Sequence, residues 1–341
     1  MKKSVALVLM VSLLLSLMVG CSKKEKVNTT TKVDSKEIVI KVGHIEAEDR
    51  STHKACLEFE KYVEEQSDGK VDVQIYPNGQ LGGDREMTEG VALGTLQMTL
   101  PATSVLTTYD AKFGILDMPF IFNNEHAGFA ALDGELGTKL NECLPPVGLY
   151  NFGYNYNGAR NISNNVRPIN EPNDLKGIKM RVMESPVYID LFKYLGANAT
   201  PMGFGEVFTG LQQGTIDGQE NGASLVYATK FYEVQKYYSL TGHTYGFLAV
   251  LINDSFYNEL PDDIRKIVSE GAEKYLIDYQ RNLEIEDNEK YIKKLKDEGM
   301  EVNAITPENQ EKFVEALKPM YEKYKKEIGK EMFGIVDQYN Q

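Results

Sequence analysis

The chain has 341 residues, 42% of them hydrophobic and 26% charged, with 37 basic against 50 acidic side chains and a formal net charge of −13. That mixture excludes wholesale disorder, and a surface this acidic repels phosphate backbones, which argues against a nucleic-acid partner. A single long apolar run, at the N-terminus, excludes a polytopic membrane protein, and three Cys with four His leave little material for a multi-ligand metal site.

Met1-Lys2-Lys3 is a short basic region, and Val5 to Val19 is apolar apart from two serines. This is the charged-then-apolar order of a secretory signal, and its run of about 15 residues falls short of the roughly 20 that span a bilayer. Gly20-Cys21 follows at once and resembles the lipobox of bacterial lipoproteins, which implies cleavage before Cys21 and acylation of its sulfur. Residues 1–20 therefore read as a signal peptide. Residues 21–36, polar and without periodicity, read as a flexible tether. About 305 residues remain, more than one core usually holds, so two lobes are expected.

Ile38 to Val42 reads as a first strand, and Ser51 to Gln66 as a helix with apolar Ala55, Cys56, Phe59, Tyr62 and Val63 at helical spacing. Val71, Val73 and Ile75 alternate with polar residues up to a turn at Pro77-Asn78-Gly79. Asp84 to Leu93 is a short helix, and Leu96, Met98 and Leu100 form another alternating strand. Ile178 to Val182 is a strand and Pro186 to Leu195 a helix. This exchange predicts an α/β fold with helices on largely parallel sheet. Asp262 to Lys296 is charged and amphipathic, with Gly271 the only breaker, and predicts one long helix or two abutting ones. A strand over 301–305 and a helix over 307–328 close the chain.

No G-x-S-x-G, H-E-x-x-H or G-x-x-x-x-G-K-[ST] pattern is present, so the common enzyme templates fail. His44, His53, His126 and His243 are far apart and read as packed, capping or surface residues. Cys56 and Cys143 read as packed thiols. Arginine is more informative. Only seven of the basic residues are Arg, and Arg160, Arg167 and Arg181 fall close together. A guanidinium presents a planar fork that matches a carboxylate bidentately. Arg181 sits in an apolar strand pattern, where it needs an anion from the protein or from a ligand. A second cluster, Gly214 to Gly222, puts Asp217, Gln219, Glu220 and Asn221 on a Gly-rich turn, as a plain connection or as a source of directed hydrogen bonds.

Taken in order, the segments Lys70-Val71-Asp72-Val73, Pro77 to Gly82, Leu116 to Phe122, Asn157-Gly158-Ala159-Arg160 and Asp174 to Val182 form a recognisable series. Pro201 to Phe208, Ile216 to Asn221, Tyr232 to Tyr237 and Leu260-Pro261 continue it. The series resembles the extracytoplasmic solute-binding proteins of TRAP transporters, DctP type, over about residues 37–300. The resemblance implies an α/β, two-lobe periplasmic-binding-protein-like fold with a ligand cleft between the lobes and a long C-terminal helical region. Lobe 1 is expected over 37–157 plus about 247–285, and lobe 2 over about 158–246 plus 286–341.

It further implies that Arg181 is the carboxylate anchor and Arg160 a second anion contact. Asn221 would hydrogen-bond the ligand, Phe204 would pack on it, and Asp84 would stand at the other lobe's edge. Gly222 replaces the usual proline, which loosens that turn. Ala102 and Ile45 stand where sialic-acid binders carry glutamate and asparagine, which points away from sialic acid towards uronate-like sugar acids or small di- or hydroxycarboxylates. The implied role is extracytoplasmic capture of such an acid and delivery to TRAP membrane subunits for ion-gradient-driven uptake, with no cofactor, no metal and no catalysis, from a lipid anchor at Cys21. A ligand-reading module for a sensor system is the alternative on the same fold.

Overall fold

The computed structural model describes residues 38–340; the signal segment, the tether and Cys21 lie outside the described residues. In chain order the elements are β1 (Ile38–Gly43), α1 (Ser51–Gln66), β2 (Val71–Tyr76), α2 (Asp84–Ala92), β3 (Met98–Thr99), α3 (Glu125–Asp133), α4 (Glu135–Asn141) and β4 (Leu149–Asn164). There follow β5 (Lys179–Val182), α5 (Pro186–Tyr194), β6 (Asn198–Pro201), α6 (Val207–Gln213), β7 (Gly218–Asn221), α7 (Ala223–Ala228) and β8 (Tyr237–Asn253). The chain closes with α8 (Asp254–Glu259), α9 (Asp262–Gly271), α10 (Gln280–Asp297), β9 (Glu301–Ala304), α11 (Pro307–Glu327) and α12 (Lys330–Tyr339).

The strands join in one sheet of order β2-β1-β3-β8-β4-β7-β5-β6, with β9 beside β8. Its two ends are parallel, β1 with β2 and β3, and β5 with β6 and β7. Its middle is the long antiparallel ribbon of β4 and β8. The expected sheet is therefore parallel at both ends and antiparallel at the centre. Strand β3 is shorter than the alternation of Leu96, Met98 and Leu100 suggests, although all three side chains are buried.

The ribbon is what turns one sheet into two halves. The first part of β4 pairs with the last part of β8, next to β3. The last part of β4 pairs with the first part of β8, next to β7. Between them the register slips, with Tyr156 opposite Phe247 and Ala159 opposite Tyr245. Asn157-Gly158 fills the extra space on β4 as a bulge, which bends a strand and raises its local twist. The two ribbon strands thus pass from one half to the other at Asn157-Gly158 and at Gly246.

Each half has its own core on one face. Ile40, Val42, Phe59, Val63 and Leu276 pack in the first, and Val207, Leu211, Phe231 and Leu295 in the second. The other face carries a continuous core that includes Phe113, Leu136, Leu191, Phe313 and Phe333. The last two helices bridge this face. Helix α11 packs on α5, whereas α12 packs on α3 and α4, which belong to the 37–157 segment.

Between α9 and α10 the helix does not break; residues Ala272–Tyr279 are π-helical. The sequence explains the underwinding. Ile264, Val268, Ala272, Leu276, Gln280 and Glu284 are all buried and recur every four residues. In a pure α-helix each such step overshoots a turn by about 40°, so five steps would rotate the stripe by about 200°. The π segment holds it on one face. At the start of α10, Gln280 then donates to the Tyr156 carbonyl at 2.7 Å and accepts the Tyr156 N–H at 2.9 Å, on the edge of β4 that faces away from β8 and has no strand neighbour there. Arg281 donates to the Tyr154 carbonyl at 2.9 Å and grips Asp133 with both Nη groups.

Gly158 has φ 85°, and a Cβ there would lie 3.4 Å from Glu284 Oε1 and 3.5 Å from Gly222 Cα. A left-handed backbone costs a non-glycine residue about 1–2 kcal/mol. Gly158→Ala is expected to lower the unfolding free energy by that amount, read as a shift in urea midpoint at constant slope. An unshifted midpoint would show that the crossing relaxes freely.

Candidate functional site

A cleft opens where the ribbon crosses between the halves. It is lined from the first half by Ile45, Glu46, Asp84 and Ala102, and from the second by Arg181, Met183, Phe204 and Asn221, with Asn157 and Arg160 of β4 between them. Glu46 lies just beyond the carboxyl end of β1, and Arg181 is the third residue of β5. Crevices outside strand carboxyl ends are the usual ligand positions of open α/β sheets. All five residues singled out from the sequence, Arg181, Arg160, Asn221, Phe204 and Asp84, line this one cleft.

The two arginines differ sharply. Arg160 is paired with a protein carboxylate through Nε and Nη2. Its Nε donates to Glu220 Oε2 at 2.5 Å and its Nη2 to Oε1 at 2.8 Å and to the Glu220 carbonyl at 2.7 Å. Its guanidinium also lies 5.5 Å from the centre of the Tyr188 ring. Burial alone would raise the Glu220 carboxyl, but Arg160 and the nearby His243, whose Nε2 lies 3.4 Å from Oε2, overcome this and bring it down to about 2. Arg181 has no such partner. Only its Nε is bonded, to the Met202 carbonyl at 2.9 Å. No carboxylate of the described residues lies within 4.0 Å of it, and it is 4% exposed. Burial depresses its pKa to about 10, against the pull of Glu220 and with the push of Arg160. The protein counter-ion that Arg181 could have had belongs to Arg160.

Asn221 is fixed for use. Its Nδ2 donates to Gln219 Oε1 at 2.6 Å, and its carbonyl accepts from the Tyr238 hydroxyl at 3.1 Å. Gly222 does not loosen this turn. Its φ of −67° is one that proline adopts, and a Cβ there would lie 2.9 Å from the Asn157 carbonyl. The glycine lets the β4 crossing press against the start of α7. Phe204 is half-buried, with its ring centre 6.1 Å from that of Phe231.

Three residues escaped the sequence reading: Glu46, Arg50 and Glu284. Arg50 Nε meets Glu46 Oε2 at 2.8 Å. Its Nη1 donates to Ser224 Oγ at 2.5 Å, its Nη2 to Asn157 Oδ1, and Glu284 Oε1 lies 3.7 Å away. Ser51 and Ser224 both donate to Glu284. One guanidinium thus joins the start of α1, the β4 crossing, α7 and α10. The available signal was positional: a carboxylate and an arginine four residues apart directly after a first parallel strand.

His44 and His53 are buried together. His44 Nε2 lies 3.2 Å from His53 Nδ1, and burial together with His53 pulls His44 down to about 3. Cys56 and Cys143 are unpaired thiols, and burial pushes Cys56 up. Among the described residues no group of three or more His, Cys, Asp or Glu is arranged to hold a metal ion. No helix among them is long and apolar enough to cross a membrane.

The family model for bacterial extracellular solute-binding protein family 7, DctP, matches residues 42–327. The chain belongs to this family. Its similarity to the 2,3-diketo-L-gulonate-binding periplasmic protein YiaO of Escherichia coli (strain K12) is 35% identity, covering 82% of this chain and 84% of that one. Its fold matches the sugar acid binding protein DctPAm of Advenella mimigardefordensis strain DPN7T, solved in complex with galactonate, with TM-score 0.86, 37% identity and coverage of 88% and 97%. It equally matches a TRAP periplasmic solute-binding protein of Shewanella oneidensis with bound succinate, with TM-score 0.86, 31% identity and coverage of 89% and 99%. These two-lobe TRAP structures share the α/β architecture and the C-terminal helices of this DctP-family chain.

Asp84 Oδ2 accepts the Ala102 N–H at 3.1 Å, while its Oδ1 is buried without a partner among the described residues. Burial pushes its carboxyl up to about 7, opposed by the Ala102 N–H and Arg181 and aided by Glu46. A carboxyl raised in the folded state binds its proton more tightly there, so its contribution is complete below the unfolded value near 4 and is lost as pH rises through about 7. In the ligand-free protein Asp84→Asn should match wild-type stability near pH 4 and exceed it by roughly 2–4 kcal/mol at pH 8. Paired thermal melts across pH 4–8 check this; a constant difference would show an ordinary Asp84.

Proposed function

We propose that this protein captures a small organic acid outside the cytoplasm, seats its carboxylate on Arg181, and delivers it to TRAP transporter membrane subunits for uptake driven by an ion gradient. The observation that carries this reading is Arg181 itself: a buried guanidinium, bonded through Nε alone, with its fork free towards the cleft. Burying a cation without a counter-ion is costly, and a bidentate carboxylate is the anion whose geometry fits the fork. Names among the relatives support the class, since they include proteins that bind sugar acids and C4-dicarboxylates. Arg160 then acts by holding Glu220 away from Arg181 while adding positive potential. Asn221 supplies a fixed amide and Phe204 an apolar wall.

The net charge of −13 works against attraction at long range. Salt screens that repulsion beyond about 8–10 Å, whereas the carboxylate meets Arg181 at about 3 Å. The role is binding rather than catalysis. The lobes are taken as 37–157 plus about 247–285 and about 158–246 plus 286–341, closing on the ligand about the crossings at Asn157-Gly158 and Gly246, with α12 reaching back across the hinge. The mature chain is taken to begin at an acylated Cys21.

Truncating one partner of a buried charge pair costs about 2–5 kcal/mol, so Arg181→Ala should weaken binding of the acid by roughly 30- to several-thousand-fold. Arg181→Lys should also bind weakly, since it keeps charge and loses the fork. Because the free protein gives Arg181 no counter-ion, the ligand-free Arg181→Ala protein should melt at or above the wild-type temperature. Calorimetric titration with melts on the same samples separates the two effects; wild-type affinity in a folded Arg181→Ala protein removes the anchor. For the N-terminus, Cys21→Ser should move the protein from the membrane fraction to the released fraction, or leave it unprocessed. Full membrane retention of correctly cleaved Cys21→Ser protein would contradict lipid anchoring.

A further inference from the structure

The chain crossings between the two halves of the sheet meet at one point. Strand β4 crosses at Asn157-Gly158 and β8 at Gly246, where a Cβ would lie 3.2 Å from Asn157 Cβ. The helix that runs from α9 into α10 crosses as well. Its Leu276 and Ile277 pack in the core of the first half, and its Tyr291 and Leu295 in that of the second. Glu284 stands midway along this passage, and a Cβ on Gly158 would lie 3.4 Å from its Oε1.

Arg50 occupies this point. It is 3% exposed and comes from the first half, directly before α1. Its Nε meets Glu46 Oε2 at 2.8 Å within the same half. Its Nη1 reaches over to Ser224 Oγ at 2.5 Å, on α7 of the second half, and stands 3.7 Å from Glu284 Oε1. Its Nη2 donates to Asn157 Oδ1 on the crossing itself. Of this set only Glu46 and Asn157 line the cleft.

Two buried carboxylates thus share one guanidinium, with Glu46 3% and Glu284 1% exposed. Burial pushes the Glu46 carboxyl up, Arg50 opposes this, and the field of Glu284 adds to it. A buried cluster with one anion in excess is not fully satisfied in any single arrangement. Arg50 is therefore contested: Glu46 holds it inside the first half, while Glu284 and Ser224 draw it across. Geometry makes the contest depend on the angle between the halves. Glu46 and Arg50 lie on one short stretch after β1 and keep their contact whatever the angle. The contact with Ser224 joins the halves, and a hydrogen bond weakens steeply once its partners part beyond about 3.5 Å.

Building on the lobe closure proposed above, we propose that Arg50 is the clamp of that closure: its reach to Ser224 and Glu284 favours the closed arrangement, and Glu46 competes for it and favours release. Arg50 acts through the placement of the halves, as a bistable contact that the two arrangements satisfy differently.

Small-angle scattering on the ligand-free mature protein reads the separation of the halves as a radius of gyration, with thermal melts on the same samples to show folding. Ser224→Ala and Glu284→Gln each remove a partner across the crossing and should enlarge the radius. Glu46→Gln removes the competitor and should leave the radius at or below the wild-type value. A set that merely supported the fold would shift all three variants in the same direction, since each loses a buried contact. Enlargement by Glu46→Gln, or a Glu46→Gln chain that fails to fold, overturns the clamp. An unchanged radius in either of the other variants, once folded, overturns it too, and Ser224→Ala decides alone if Glu284→Gln does not fold. Wild type is measured in parallel with D-galactonate, D-glucuronate and succinate, although the order of the ligand-free variants decides the clamp whichever acid binds. Compaction by one of these acids without that order leaves closure standing and removes the clamp. A radius that neither the acids nor the variants change removes closure and the clamp together.

Discussion

Two guanidinium groups are buried near one another at the centre of this acidic chain, and one carboxylate, Glu220, is bonded to only one of them. That imbalance organises the site. Glu220 satisfies Arg160 through two side-chain contacts and its own carbonyl, and its pKa is drawn down in the process. Arg181 is left with a carbonyl on Nε and burial that lowers its pKa. A locally uncompensated positive charge inside a strongly negative molecule is costly to maintain, and an incoming anion relieves the cost. On the function proposed above, the affinity for an acid is held as this unmet electrostatic need in the ligand-free state.

The position of that charge follows from the ribbon. Because β4 and β8 run through both halves of the sheet, residues at their crossing belong to neither half alone. Asn157 is part of the bulge on β4 and Arg160 follows it, and the cleft opens around them. Arg50 ties the same crossing to α1, α7 and α10 through Glu46, Ser224 and Glu284. Glu46 and Asn157, which line the cleft, thus share one guanidinium with Ser224 and Glu284.

What the sequence made legible was local. The α1 stripe, the alternation in β2 and the Pro-initiated α5 and α11 each carry their own signal within a few residues, and their limits match closely. Arg181 was legible because a charge in an apolar strand contradicts its surroundings. The two longest strands were not. Strand β4 contains five Asn and two Gly, residues that read as turns, and it is stabilised by strand partners 54 to 104 residues away. Glu46 and Arg50 were illegible for the same reason. Their neighbours looked like an ordinary charged connection after β1, and the partners that give them meaning, Ser224 and Glu284, lie more than 170 residues on. The Arg160–Glu220 pair was illegible as well, since it is the pairing of β4 with β7 that brings the two together from 60 residues apart.

The π-helical stretch Ala272–Tyr279 sets different tolerances for substitution and for change of length. Exchanging one apolar side chain for another within it alters packing at a single point. Removing or adding one residue changes the phase of everything that follows, by about 100° in an α-helix. Gln280, Arg281 and Glu284 would then swing away from β4 together, stripping the Tyr156 ladder, the Asp133 grip and the Arg50 network in one step. Descendants of this chain are free to vary the composition of the segment far more than its residue count, and an insertion or deletion there survives only with a second one that restores the phase.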